Sequence, residues 1–263
     1  MTEAPVLVDR HGGVATVTLN RPEQRNALTV ELKESLLTTI RALATDSRVR
    51  AVVIAGAGKA FCVGQDLGEH AGALELDASS AFDTIRDHYS PLIVEIMTME
   101  KPVIAAVNGH CVGAGLGLAL ACDLRVFATD ARFSTAFSAI GLTFDSGLSF
   151  TLPRAVGVAR AAKLMMLGST FGPEEAVAWG VDGEITAPAE MRTTAEHLAT
   201  RLAEGPTAAF AATKKLLLSC PQASLADALQ AEGIAQSECG GSNDHRAAVT
   251  AFLSREQPKF KGR

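Results

Sequence analysis

The sequence predicts an α/β core followed by a purely helical C-terminal part, and three observations carry that prediction. Short apolar runs of strand type, at 51–55, 102–107 and 124–128, alternate with stretches of helical spacing, as in a sheet covered on both faces. From about residue 187 onward only helical patterning remains. An apolar strand, a glycine-containing loop and a helix also recur at 51–67 and at 102–121, a weak internal repeat. Two such units could aim backbone N–H groups at one oxygen.

Taken in order, residues 5–10 and 14–20 read as two strands joined by a turn at Gly12-Gly13. In the second, Ala15, Val17 and Leu19 share one apolar face. Arg21-Pro22 ends it, and 30–44 has helical spacing with Leu32, Leu36, Ile40 and Leu43 on one side. The loop GAGKAFCVGQDL at 56–67 has neither G-K-[ST] nor a third glycine at dinucleotide spacing, which argues against a nucleotide fold. Residues 71–80 are small and polar and read as a mobile segment. Helical patterning returns at 81–99, where Pro91 must break or kink it. Just before that break, Asp87-His88-Tyr89 reads either as a solvated turn or as a substrate-facing group.

The central stretch is AVNGHCVGAGLGLALACD, 106–123. A strand ends, the chain turns at Asn108-Gly109, and nothing polar follows Gly113, Ala114 and Gly115 until Cys122 and Asp123. A helix beginning near Gly113 is therefore expected to be buried on all sides. Its first turn carries unpaired N–H groups and partial positive charge. Small side chains there serve close packing or the approach of a ligand oxygen. Within 133–152, Asp145 is the only ionisable residue between Arg132 and Arg154, which marks it as a helix N-cap or a functional acid. Helices are expected at 160–167, closing at Gly168, and at 173–180, 190–203, 206–219, 224–237 and 246–253.

Composition narrows the function classes. The chain has 263 residues, 48% of them hydrophobic, yet no run approaches the ~18 apolar residues of a membrane span. The start MTEAPVLVDR lacks the features of a signal peptide. Five cysteines (Cys62, Cys111, Cys122, Cys220, Cys239) form no C-x-x-C pair and are odd in number, so they read as thiols of a cytoplasmic protein. A net charge of −5 without basic clusters speaks against nucleic acid as a partner. The scattered histidines match no metal-ligand spacing, and no metal or redox cofactor is expected.

Four segments now resemble the crotonase family, the enoyl-CoA hydratase/isomerase superfamily: NRPEQRNAL at 20–28, GKAFCVGQDL at 58–67, KPVIAAVNGHCVGAGLGLALACDL at 101–124 and FLSREQPKFKG at 252–262. The resemblance implies a spiral of ββα units over 1–200 and a C-terminal helical region over 201–263 that mediates trimers, often paired into hexamers. It implies an acyl-CoA thioester substrate, with coenzyme A as part of the substrate and no separate cofactor. The two N–H donors for the thioester oxygen fall by position on Gln65 and Ala114. Coenzyme A contacts fall on Arg25, Ala27, Val63, Asp66, Leu67, Phe252 and Arg255. The two glutamates of the family's hydratases fall on Gly117 and Phe137, so both carboxylates are absent here.

In their place Asp145 occupies the position of the catalytic aspartate of the phenylacetate-pathway epoxide isomerase and of some enoyl-CoA isomerases. The pieces IGLTFD, LPRAVG and AVAWG are also similar to that branch. One carboxylate suffices for an isomerase, which removes a proton from one carbon and returns it at another. Three other readings stay open. One is a hydratase in which Asp145, with Asp66 or His88, activates water. Another is an acyl-CoA-binding subunit without catalysis, and a minor third is hydrolysis or dehalogenation with Asp145 as nucleophile.

Overall fold

The computed structural model describes residues 4–262, so residues 1–3 and 263, at the outer ends of the two expected regions, lie outside it. Strands β1 (Val6–His11) and β2 (Val14–Leu19) form an antiparallel hairpin running from Val6↔Leu19 to His11↔Val14. Ala15, Val17 and Leu19 are fully buried, as their alternation predicts. The Thr29 hydroxyl accepts a hydrogen bond from Leu32 N at 3.2 Å and caps α1 (Val30–Thr45). Leu32, Leu36, Ile40 and Leu43 are completely buried in the main core.

From there the chain repeats one pattern: long strand, short strand, helix. The first unit is β3 (Ala51–Gly56), β4 (Ala60–Cys62) and α2 (Leu67–Leu76), followed by α3 (Ser90–Thr98). The second is β5 (Val103–Val107), β6 (His110–Val112) and α4 (Ala114–Ala121). The third is β7 (Leu124–Ala128), β8 (Arg132–Ser134) and α5 (Leu148–Val156). Long strands add in parallel to one sheet and short strands build a second, β4-β6-β8, so the units wind as a spiral. After α6 (Val158–Leu167) and α7 (Pro173–Ala178), β9 (Glu184–Thr186) completes the large sheet in the order β1-β2-β3-β5-β7-β9.

Helix α8 (Met191–Ala203) covers the other face of the large sheet. Its Met191, Ala195, Ala199 and Ala203 pack with Val53, Ile104, Ala106 and Val126. Helices α9 (Thr207–Ser219), α10 (Leu225–Gly240) and α11 (Asn243–Ser254) follow. Lys214 ties α9 to the core, donating to Asp123 Oδ2 (2.8 Å) and Ile96 O (2.7 Å). No helix among the described residues is long and apolar enough to cross a membrane.

The structure corrects the sequence reading in one place here. The segment at 71–80 is not wholly a mobile loop, because α2 runs to Leu76. Asp66 nucleates that helix by accepting from Gly68 N and Glu69 N, both at 3.1 Å. At Pro91, where a break or kink is expected, the helix changes type without ending. A π-helical turn, Ile85–Tyr89, runs directly into α3, with Ser90 N reaching Ile85 O, and Pro91, the second residue of α3, has no N–H to offer that preceding turn.

The C-terminal segment is fastened by one buried carboxylate. Asp244, 4% exposed, accepts from Lys261 N at 2.6 Å and Gly262 N at 2.7 Å. Arg50 supports the same segment through Phe260 O at 3.0 Å. Asp244→Ala is expected to lower stability by about 2 kcal/mol, the scale of hydrogen bonds to a charged group. Urea denaturation measures the loss, and amide exchange at 259–262 should accelerate. Unchanged exchange there would remove Asp244 as the clamp.

Candidate active site

The ends of the spiral units converge on a cavity of about 560 Å³. The first loop is rigid because Asn26, fully buried, donates to Ala60 O (2.8 Å) and Phe61 O (3.1 Å), while its Oδ1 accepts from Arg21 N (2.9 Å). Arg21 in turn bonds Ala27 O (2.6 Å) and pairs with Asp66 (3.0 Å), joining this loop to the start of α2. The third and fourth walls are the β6–α4 junction and the segment from Thr135 to Asp145.

Two backbone N–H groups are prepared in the same way. Gln65 follows Gly64 at φ +86°, and Ala114 follows Gly113 at φ +56°, values that L side chains rarely adopt. Leu28 bonds on either side of Gln65, donating to Gly64 O (2.8 Å) and accepting from Asp66 N (3.1 Å). In such a parallel bridge Gln65's own N–H turns away from Leu28. Ala114 opens α4, so its N–H has no intrahelical acceptor. A methyl group on Gly64 would stand 3.3 Å from Ala114 N, which shows how closely the two junctions meet. Ala114 itself has a negative φ, so the alanine is unstrained.

Asp145 lines this cavity and a narrower chamber of about 150 Å³ beside it, together with Gln65, Leu67, Ile140 and Leu142. Its carboxylate does not cap α5. Gly147 is the N-cap residue there, with no side-chain cap, and the Asp145 Oδ1 accepts instead from Ser146 Oγ at 2.8 Å. Burial pushes the Asp145 carboxyl above its ordinary value, opposed by the Ser146 hydrogen bond and by the charge of Lys33. Asp66 also lines the large chamber, but its oxygens are occupied by Arg21 and by the first turn of α2.

Neither position where the resemblance places a hydratase glutamate carries a carboxylate, and at one of them the structure leaves no room for a side chain. A Cβ on Gly117 would lie 2.5 Å from Ser146 O, so the backbone following Asp145 fills that space. Phe137 is buried and forms part of the cavity wall.

Of the expected coenzyme A contacts, Ala27, Val63, Asp66 and Leu67 line the large chamber. Arg25 is exposed on the first loop and does not line it, and Phe252 and Arg255 stand exposed at the end of α11, away from the lining. Of Asp87-His88-Tyr89, only Tyr89 reaches the site. It is buried, lines the narrow chamber and donates its hydroxyl to Gln65 Oε1. Asp87 bonds its neighbour Arg86 at the surface.

Lys33 escaped the sequence reading. It is 1% exposed and donates to Gln65 Oε1 (3.1 Å) and Thr84 Oγ1 (2.5 Å), behind the cavity wall. Its signal was its spacing, since Lys33 stands in helical register with Leu36, Leu37 and Ile40, all of them buried. A separate cavity of about 340 Å³, beside α4, α5 and α9, holds Asp123, Arg125 and Lys214, already bonded to one another or to backbone carbonyls.

The family of this chain follows from comparison. The sequence profile of the enoyl-CoA hydratase/isomerase family matches residues 9–263. The chain belongs to that family, the crotonase superfamily, and the ββα spiral is its fold. A provisionally named enoyl-CoA hydratase of Rhodobacter capsulatus is 40% identical over 252 residues, 95% of each chain. The 1,2-epoxyphenylacetyl-CoA isomerase of Escherichia coli is 36% identical over 251 residues, 95% of this chain and 96% of that one. The crystal structure of a provisionally named enoyl-CoA hydratase/isomerase from Mycobacterium abscessus superposes with a TM-score of 0.95 at 47% identity, covering 98% of this chain and 100% of that one.

Proposed function

We propose that, within this family of acyl-CoA enzymes, the chain is an isomerase with Asp145 as its one acid/base. The observation that carries this reading is the state of the carboxylates. Among the described residues lining the large chamber, Asp66 is engaged in a cap and an ion pair, and Asp145 is held only by its neighbour's hydroxyl. Water addition of the hydratase type ordinarily uses an acid and a base on one water; a double-bond shift uses one group twice.

In this reading the Asp145 carboxylate takes a proton from C2 of a 3-enoyl-CoA. The electron pair passes into the dienolate, whose thioester oxygen is held by Gln65 N–H and Ala114 N–H. Protonated Asp145 then returns the proton at C4, giving the 2-enoyl ester. The same group serves a ring-epoxide rearrangement, the chemistry named for the Escherichia coli relative. Coenzyme A enters as part of the substrate, and no other cofactor takes part. Exposed apolar side chains on α9–α11, among them Leu217, Leu229 and Phe252, fit an assembly of several copies, a trimer or hexamer built through residues 201–263.

Incubation in D₂O with a 3-enoyl-CoA tests the reading. Deuterium at C2 or C4 with bond migration is expected, and rapid formation of 3-hydroxyacyl-CoA instead would replace it with the hydratase reading. The pH profile follows from the carboxyl's environment. Proton abstraction needs the ionised form, so turnover should rise with pH through a midpoint above the ~3.9 of an ordinary aspartate. For stability the sign is opposite: a carboxyl raised in the folded state stabilises below its unfolded value, and that contribution is lost as pH rises through the folded value. A rate profile with no such limb would exclude Asp145 as the base, and a limb at or below the ordinary value would contradict the effect of burial on its carboxyl.

A further inference from the structure

We propose that Lys33 is a positioning residue: from behind the cavity wall, Lys33 and Tyr89 clamp the side chain of Gln65 and thereby hold the Gln65 backbone N–H on the thioester oxygen. This rests on the oxyanion role of Gln65 proposed above and adds how that donor is kept in place.

Lys33 occupies a core position of α1, where an apolar side chain would pack without the desolvation of an ammonium. No carboxylate among the described residues forms an ion pair with it. Its donors are used in another way, one on Thr84 Oγ1 and one on Gln65 Oε1, while the ammonium lies 4.9 Å from the centre of the Tyr89 ring. Burial of this kind gives little stability, so the arrangement is better explained by what it holds.

What it holds is Gln65 Oε1. That oxygen accepts from Lys33 Nζ and from the Tyr89 hydroxyl, filling both lone pairs. The backbone of Gln65 is pinned independently by the bridge to Leu28. With side chain and backbone both fixed, the Gly64–Gln65 peptide loses the freedom that a glycine would otherwise give it. Preorganised donors stabilise a developing oxyanion because they need no reorientation as charge appears.

The helix irregularity belongs to the same device. The π-helical turn brings Thr84, at its N-terminal edge, and Tyr89, at its end, onto one ammonium, five residues apart. Thr84 is bonded in turn to His88 Nδ1 at 3.0 Å. Lys33 lines neither chamber, so it acts through Gln65 and not on the substrate.

The test compares Lys33→Met and Tyr89→Phe with the unsubstituted protein. The probe is cinnamoyl-CoA, a conjugated thioester whose absorption moves to longer wavelength when its carbonyl oxygen accepts hydrogen bonds. The unsubstituted protein should red-shift the bound probe. Lys33→Met should bind it within about threefold, lose most of the shift and lower kcat for a 3-enoyl-CoA about 10- to 100-fold with KM little changed, a partial loss beside the roughly 10²–10³ of deleting a donor outright. Its Tm should not fall. Tyr89→Phe removes one hydroxyl from the same clamp and should show a smaller loss of shift and rate.

A wild-type shift and kcat in Lys33→Met would overturn the proposal and leave the oxyanion reading standing. A lowered Tm with wild-type shift and rate well below it would assign Lys33 to structure alone. Should Lys33→Met fail to fold, an undiminished shift in Tyr89→Phe would overturn the clamp by itself. Absence of any shift in the unsubstituted protein would remove the oxyanion role of Gln65, and the clamp with it.

Discussion

Asp145→Asn is expected to lower isomerase turnover by on the order of 10³–10⁴, the upper range for loss of a general acid/base, while acyl-CoA binding and the fold persist. The substitution is close to isosteric, and the asparagine Oδ1 can still accept from Ser146 Oγ, now at 2.8 Å from the carboxylate. It removes a charge that burial disfavours, so Tm should hold or rise. An amide has no basic site for the C2 proton and no acidic proton for C4, so both halves of the shift are lost together. Deuterium incorporation followed by mass spectrometry measures both. Turnover within tenfold of the unsubstituted protein would eliminate Asp145 as the acid/base.

The second large effect belongs to Ala114→Pro, for which a loss of about 10²–10³ in kcat is expected from removal of one oxyanion donor. Proline is tolerated at the first position of a helix, where the N–H has no intrahelical partner. Helix α4 keeps its first internal bond, Gly117 N to Gly113 O at 3.1 Å. A ring carbon then stands where the N–H pointed. Circular dichroism checks the fold and a 3-enoyl-CoA assay the rate. A folded variant with undiminished kcat would show that Ala114 is not a donor.

Much of this arrangement was legible in the sequence because it rests on local chemistry. The alternation at Ala15, Val17 and Leu19, the apolar face of α1 and the buried start of α4 follow from periodicity and small residues. Asp145 was conspicuous as one carboxylate in an apolar stretch. The short strands β4, β6 and β8 were not legible, because three residues carry no period and their pairing is decided by the neighbouring units. Helix α2 was hidden by its glycines and small residues, and tertiary contacts at Asp66 decide it. Lys33 was hidden for a different reason: a lysine reads as solvated unless its neighbours in register are weighed with it.

The contact between Gly117 and Ser146 has a consequence for how such chemistry changes hands over time. With a Cβ at 117 only 2.5 Å from Ser146 O, an acid on α4 and the Asp145 segment in its present course are mutually exclusive occupants of one volume. Substituting glutamate at 117 alone displaces the existing acid before a second one is in place to work with it. The two substitutions are therefore epistatic, and their order is constrained. A laboratory lineage selected for water addition should first accumulate changes that lift residues 144–147, neutral for the new reaction, and only afterwards fix a carboxylate at 117.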